Sequence, residues 1–282
     1  MSVISSKTDI GELVQRVQYK YGIDLSKYRP SCLGRRVSIR MAAVGCHEFG
    51  EYLMYLDAHP GEAKHLLEVV TIHITEFLRD REVFEALQKR IFPEIIGGKL
   101  ISGRKTIRIW SAGCSSGEEP YSIAILLLDL LQTEKINLNV EVFGTDISEE
   151  SCAEAGRGVY PARKIKGIPK HLKERYFNLE DGRYHVSRDV RKHVRFKVHD
   201  IFTRPPVTMF DLVVCRNVLI HFDHAARFGV LLNFHSSLND GGMLILGKSE
   251  ALTGHALRLF ELVDVKNKVY RKRFPAHMQM EE

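Results

Sequence analysis

Residues 105–132 hold the feature that most restricts what this chain can fold into. A β-rich run, KTIRIWSAG, ends in the small residues CSSG and passes without a spacer into EEPYSIAILLLDLLQ, an apolar helix with Pro120 in its first turn. Proline is tolerated there because that N–H has no intrahelical acceptor in any case. A second β-rich run, LNVEVFGTDIS, is followed by a second helix, SEESCAEAGRGVY, that Ser148 is placed to cap. Strand, helix, strand, helix at this spacing calls for right-handed parallel crossovers and an open α/β sheet.

Five segments carry the pattern onward. HVRFKVHDI, MFDLVVCRNVLIHF, HAARFGVLLNFHSSLNDGG, MLILGKSE and FELVDVKNKVYRKR read as strand, strand, helix, strand and strand, the last two an antiparallel pair at one edge. Between Pro161 and Lys192 the pattern breaks, and the alternation around Asp181-Gly182 predicts a hairpin within a small β insertion. The first 70 or so residues differ in texture. IGELVQRVQYKYG, SCLGRRVSIRMAAVG, EFGEYLMYLDAHP and EAKHLLEVVTIH repeat with helical period, punctuated by Gly22, Gly45 and His59-Pro60-Gly61, which predicts a bundle of about four helices. TEFLRDREVFEALQKRIFPEII reads as one more amphipathic helix joining the two parts.

Composition narrows the function classes. A chain of 282 residues with 44% hydrophobic and 27% charged residues can bury a core in each of about two domains. No apolar stretch approaches ~18 residues, and the first twenty lack the basic start and apolar centre of a signal peptide, so neither membrane insertion nor export is expected. The 5 cysteines are scattered without a Cys-x-x-Cys pair. No disulfide framework or metal site is expected, and a cytoplasmic location follows. The net charge of +6 is mild. Without interleaved arginines and aromatics it does not indicate a nucleic-acid partner.

The turn between the first strand and helix is where a nucleotide-like ligand sits in a doubly wound sheet. Its glycines, Gly113 and Gly117, lack the G-x-G-x-x-G spacing that seats a pyrophosphate on a helix N-terminus. Glu118 and Glu119 in the first helical turn would repel a phosphate there and tolerate a ligand bearing an ammonium and a sulfonium, as S-adenosylmethionine does. Asp146, at the end of the second strand, is placed to accept both hydroxyls of a ribose. That diol is common to NAD and S-adenosylmethionine, so Asp146 alone does not separate them.

Three stretches together, RIWSAGCSSGEEPYSIAI, TIHITEFLRDREVF and FDLVVCRNVLIHF, resemble the signatures of the CheR-type chemoreceptor glutamate O-methyltransferases. The similarity runs from about Tyr21 to Lys272. It implies an α/β protein: a small all-α domain, then a Rossmann-like S-adenosylmethionine-dependent methyltransferase domain whose mostly parallel sheet has an antiparallel edge and carries a small antiparallel β-subdomain. The expected boundaries are 1–72 for a substrate-docking helical domain, 73–92 for a linker helix contributing to the cofactor pocket, 93–282 for the methyltransferase domain and 161–195 for the inserted subdomain.

The family's linker motif, N-x-T-x-F-F-R, falls on His73, Thr75 and Arg79, with histidine in place of asparagine and Leu78 in place of one phenylalanine. The resemblance further implies cofactor contacts from Ala112, Glu119, Asp146, Asp200, Ile201, Arg216 and Asn217. Asp200 stands where the family has asparagine, and His221 where a family tyrosine lies near the reacting methyl. Arg79 and His221 are the residues expected at the chemistry, Arg79 gripping the carboxylate of either the cofactor or the substrate by a charge-assisted contact. S-adenosylhomocysteine is the implied product and no metal is required.

The implied substrate is a set of glutamate carboxylates on the cytoplasmic helices of chemoreceptors. Arg29, Arg35, Arg36 and Arg40 fall in a stretch, 26–42, that contains no acid and suits an acidic partner surface. The Gly-rich hairpin insertion with which some members bind a receptor's C-terminal pentapeptide is missing from NLEDGRYHV, so tether-independent docking is expected. A nicotinamide oxidoreductase would need the phosphate-binding glycine spacing, and a nucleic-acid methyltransferase usually has Asn-Pro-Pro-Tyr where this chain reads CRNV. A methyltransferase acting on another substrate, or a scaffold that binds the cofactor without turnover, are the remaining alternatives.

Overall fold

The four helical runs of the N-terminal stretch form α1 (Lys7–Tyr21), α2 (Pro30–Val44), α3 (Phe49–Ala58) and α4 (Glu62–Val70). These come from a computed structural model that describes residues 7–71, 75–205 and 207–273. Gly45 ends α2 in the left-handed conformation, φ 76°, which costs glycine nothing. A reciprocal capping box between Glu48 and Glu51 starts α3. Spacings of four place Leu13 with Val17, and Leu33 with Val37 and Met41, on single helix faces, and all five are buried together with Tyr52, Leu56, Leu66 and Val70. Each such side chain contributes about 2 kcal/mol of hydrophobic stabilisation.

By its contacts the chain divides into two units, one of Met1–His73 with His221–Arg227, the other of Ile74–Ile220 with Phe228–Glu282. In the helical unit the returning segment is held by the Tyr28–Phe222 bridge and by backbone bonds from Arg29 N to His221 O (2.9 Å) and from Asp223 N to Lys27 O (3.0 Å).

The larger unit opens with irregular backbone over 75–80. Then come α5 (Arg81–Ala86), one π-helical turn (Leu87–Ile91) and α6 (Phe92–Ser102). This corrects the expected linker helix over 73–92. Leu78 and Asp80 both take positive φ, 55° and 60°, which no helix admits. The π turn precedes Pro93, which has no N–H to give the i−4 carbonyl, so the ladder is already widened where the bond would be lost.

The α/β part follows as β1 (Thr106–Ala112), α7 (Glu118–Thr133), β2 (Asn139–Asp146) and α8 (Glu149–Arg157), with Ser148 Oγ accepting from Ser151 N at the head of α8. A three-stranded antiparallel sheet of β3 (Val159–Pro161), β4 (Phe177–Glu180) and β5 (Arg183–Val186), ordered β3-β5-β4, carries α9 (Ala162–Ile165) and α10 (Lys170–Tyr176) between its strands. Asp181 and Gly182, both at positive φ, make its two-residue hairpin turn. The chain continues through α11 (Arg188–Arg191), β6 (Val194–Val198), β7 (Phe210–Cys215), a 3-10 turn (Leu219–His221), α12 (His224–Ser237), β8 (Leu238–Leu246), α13 (Ala256–Leu259), β9 (Phe260–Asp264) and β10 (Val269–Lys272).

The main sheet is ordered β6-β2-β1-β7-β8-β10-β9 and is parallel from β6 to β8. β7 is buried at all six positions, as a central parallel strand covered on both faces must be. Two details depart from the sequence reading. The last segment is not one strand but two, β9 and β10, turned over 265–268 where Asp264 accepts from Asn267 N and Nδ2. β8 also begins at Leu238, taking up LNDGG, which the sequence pattern assigns to the end of the preceding helix.

Candidate active site

β1 has β2 on one side and β7 on the other, and the chain leaves β1 toward β2 and later returns to β7. This is the switch point at which an open α/β sheet leaves a crevice beyond the carboxyl ends of its strands. A small cleft lies there, lined by Thr75, Glu76, Arg79 and Phe84 from the start of the unit, Gly113 to Ser115 and Glu119 from the turn and α7, and Arg216 to Val218 after β7.

The turn after β1 is fixed from below and from the side. Gly113 N and Cys114 N both donate to Thr145 O, at 2.8 and 2.9 Å, and Ser115 N donates to Asp146 Oδ2 at 2.8 Å. Gly113 is at φ 75°, and a Cβ there would lie 2.5 Å from Val218 Cγ2, so no side chain fits. Ala112, just before it, is fully buried. Asp146 is itself buried and also accepts from Ser148 N at 3.0 Å, which leaves lone pairs on both oxygens for a further donor.

The two acids at the head of α7 have separate duties. Glu119 accepts from Ser111 Oγ at 2.8 Å and from Arg216 Nη1 at 3.2 Å. Glu118, 0% exposed, takes Ser116 Oγ and Lys164 Nζ, the latter at 2.7 Å, and Lys164 also donates to Thr75 O at 2.7 Å. Burial pushes the Glu118 carboxyl above the usual range despite those partners. Arg216, 7% exposed, reaches Arg79 O at 2.9 Å and pairs with Asp80, while its guanidinium lies over the Phe84 ring. It thereby ties the irregular 75–80 segment to the loop after β7.

Thr75, Arg79, Glu119, Arg216 and Asn217 are therefore brought together around one cleft, with Ala112 and Asp146 one residue or one hydrogen bond behind it. Asp200 and Ile201 stand outside the lining, in the turn after β6. There Asp200 Oδ1 accepts from Phe202 N, and His199 N donates to Asp146 O. His221 is counted by its contacts with the helical unit, its Nδ1 3.6 Å from Cys32 Sγ. His73 lies outside the described residues. Within the helical unit Arg40 chelates Glu62 at 2.6 and 2.8 Å, and Arg29 Nε donates to Phe222 O at 3.1 Å. Arg35 is exposed and Arg36 half-buried.

Sequence reasoning did not single out Lys164, Phe84 or Glu250. Glu250, 5% exposed, accepts four backbone N–H groups, from Gly247 (2.6 Å), Asn217 (3.0 Å), Val218 (3.0 Å) and Ile220 (3.2 Å). No local signal marks it, because three of its donors lie more than 29 positions away.

Residues 73–269 match the family description "CheR methyltransferase, SAM binding domain", and residues 8–71 match "CheR methyltransferase, all-alpha domain". The chain belongs to the CheR methyltransferase family. A chemotaxis protein methyltransferase of Borreliella burgdorferi is 34% identical over 90% of this chain and 92% of its own. That of Listeria monocytogenes is 30% identical over 85% of this chain and 88% of its own. Chemotaxis protein methyltransferase 1 of Pseudomonas aeruginosa is 32% identical over 82% and 85%. The larger unit of this CheR-family chain is thus an S-adenosylmethionine-binding methyltransferase domain.

The residues present fit that cofactor. Ser115 Oγ and Arg216 Nε, both beside the cleft, are buried without a hydrogen-bond partner, and buried polar atoms in that state call for a polar ligand to complete the site. The lining also holds carboxylates and small residues where a dinucleotide site would hold its phosphate-binding glycines.

Proposed function

We propose that this CheR-family protein methylates glutamate side-chain carboxylates on the cytoplasmic helices of chemoreceptors, forming methyl esters for sensory adaptation. The observation that carries this reading is the chemistry of the cleft wall. Among the described residues its cationic groups are the guanidiniums of Arg79 and Arg216, no histidine, lysine or tyrosine lines it, and of its two carboxylates Glu119 is already engaged while Glu76 is exposed to water. Burial pushes the Cys114 thiol well up, which removes it as a nucleophile. Such a wall suits an acceptor that arrives ionised, and a glutamate with an ordinary pKa of about 4.3 needs no general base at neutral pH.

When bound, S-adenosylmethionine supplies the electrophilic methyl group. In this reading Asp146 accepts the ribose hydroxyls, Glu119 and the small residues from Ala112 to Ser115 face the cationic end, and Thr75, Arg216 and Asn217 close the wall. Asp200 and Ile201 are assigned to the adenine side. Arg79 fixes a carboxylate by a bidentate contact and so aligns the reacting groups at near-attack distance, roughly 3 Å. No metal is required, because the acceptor is anionic without one. The receptor's acidic helices are taken up by Arg29, Arg35 and Arg36 of the helical unit, with no C-terminal pentapeptide tether. The reaction belongs in the cytoplasm, where the receptor helices are.

The test is transfer of labelled methyl groups from S-adenosylmethionine to a chemoreceptor cytoplasmic fragment, scored as alkali-labile counts. Alkali-labile label is expected, and Arg79→Ala should lower its rate by about a hundredfold, the scale of a lost transition-state electrostatic contact. Binding of S-adenosylhomocysteine without any transfer would instead assign a scaffold, and alkali-stable label another acceptor.

A further inference from the structure

We propose that Glu250 is the positioning residue that shapes the cofactor-facing loop after β7, acting through the backbone and not by touching the cofactor. The inference rests on the reading of the cleft as the S-adenosylmethionine site. The loop Arg216–Asn217–Val218 supplies one wall of that cleft, and Asn217 holds φ 61°, a left-handed conformation that asparagine tolerates better than most side chains and that takes its amide out of regular pairing.

Glu250 accepts from that amide. Its two oxygens divide the work evenly: Oε2 takes Gly247 N and Asn217 N, Oε1 takes Val218 N and Ile220 N. The carboxylate therefore gathers three amides of the loop and one from the end of β8. A loop that must present side chains to a ligand cannot use its own amides in sheet pairing, and a buried carboxylate with two lone pairs per oxygen satisfies them instead. The approach is close. A Cβ on Gly247 would meet both Asn217 N and Glu250 Oε2 at 2.8 Å, so glycine is required there for the clamp to shut. Burial raises the Glu250 carboxyl above the ordinary range, and the backbone amides that donate to it pull it back only in part.

The chemistry makes glutamine a poor substitute. Glutamine keeps the length but offers one acceptor oxygen, and its NH2 would face two N–H donors. Glu250→Gln should thus behave much like Glu250→Ala, unlike an ordinary isosteric change. Both variants should bind S-adenosylhomocysteine at least about tenfold more weakly by calorimetry, the equivalent of about 1.4 kcal/mol. The KM for S-adenosylmethionine should rise while the KM for a receptor fragment stays within about twofold. A role in bulk stability alone would not produce that split.

Amide exchange reads the clamp without any ligand. The N–H groups of Asn217, Val218 and Ile220 should be protected in the wild-type chain and exchange faster in Glu250→Gln. If these variants do not fold, Gly247→Ala decides the matter, since it wedges the clamp open from the opposite side. Unchanged S-adenosylhomocysteine affinity in a folded Glu250→Gln or Gly247→Ala chain, or unchanged exchange at the three amides, overturns the proposal. A wild-type chain that binds no S-adenosylhomocysteine while its amides still respond to Glu250→Gln overturns the cofactor role and keeps the clamp.

Discussion

Each unit buries glutamates, and the two treat them in opposite ways. In the helical unit Glu62, 3% exposed, is met by the Arg40 guanidinium at 2.6 and 2.8 Å and by Tyr52 Oη at 2.9 Å. Burial alone would raise its pKa, but the bonds from Arg40 and Tyr52 more than cancel that and leave it below the ordinary value. In the larger unit Glu250 is met by backbone amides and Glu118 by one lysine and one hydroxyl, and burial prevails at both, leaving each carboxyl raised. The helical unit uses its carboxylate to staple α2 to α3 and α4. The sheet unit uses its carboxylates to hold loops open around a cleft, and accepts weaker electrostatics in return for shape.

The contrast can be broken at its strongest point with Gly113→Ala. A methyl group 2.5 Å from Val218 Cγ2, on a backbone at φ 75°, must push the turn and the loop after β7 apart. S-adenosylhomocysteine affinity should fall by about a hundredfold or more, while the melting of the helical unit is unchanged. A Gly113→Ala chain with wild-type affinity would show that the cleft is not shaped by this contact.

Arg40→Ala should do the reverse. It strands Glu62 in the core of the helical unit and should cost about 3 kcal/mol of that unit's stability, measured by denaturant unfolding. The dissociation constant for S-adenosylhomocysteine should not move. A loss of cofactor affinity without a loss of stability would mean that the two kinds of carboxylate are not separate in purpose.

The smallest effect is a difference in sign with pH. Glu62 has a depressed folded pKa, so the stability it contributes is present above its unfolded value and lost as pH falls through the folded one. The stability gap between the wild-type chain and Glu62→Gln should therefore shrink only below about pH 4.5. Glu250 has a raised folded pKa, so its contribution is fully present below the unfolded value and lost as pH rises through the folded one. The gap between the wild-type chain and Glu250→Gln should be wider at pH 4 than at pH 7. Parallel slopes in the two unfolding series would remove the distinction.

Local chemistry explains which parts of this were legible in the sequence. The four helices were visible because Gly22, Gly45 and His59-Pro60-Gly61 punctuate a 3.6-residue period, and β1 with α7 because a short β run meets small residues and then an apolar helix. The hairpin at Asp181-Gly182 announced itself through residues that favour positive φ. The break between β9 and β10 did not, because Lys268 takes φ 53° without a glycine and the turn depends on Asn267 bonding to Asp264. The irregular backbone over 75–80 was hidden beneath an amphipathic pattern. Leu78 N donates to Ser122 Oγ at 3.1 Å, a tertiary contact that overrides helical period. Thr75, Arg79, Glu119, Arg216 and Asn217 were found as cleft residues through motif strings. Glu250 was not, since a lone acid after a strand carries no mark of amides some 30 positions earlier.

The small unit is assembled from two stretches of chain, residues up to 73 and the return segment 221–227, joined through Tyr28 with Phe222 and Arg29 with His221. A ribosome making this protein N-terminus first will have released four helices long before their last partner emerges. For some 150 residues of synthesis the seat of Phe222 stays open, so a gene fragment cut at the end of α4 yields a module missing one of its own walls.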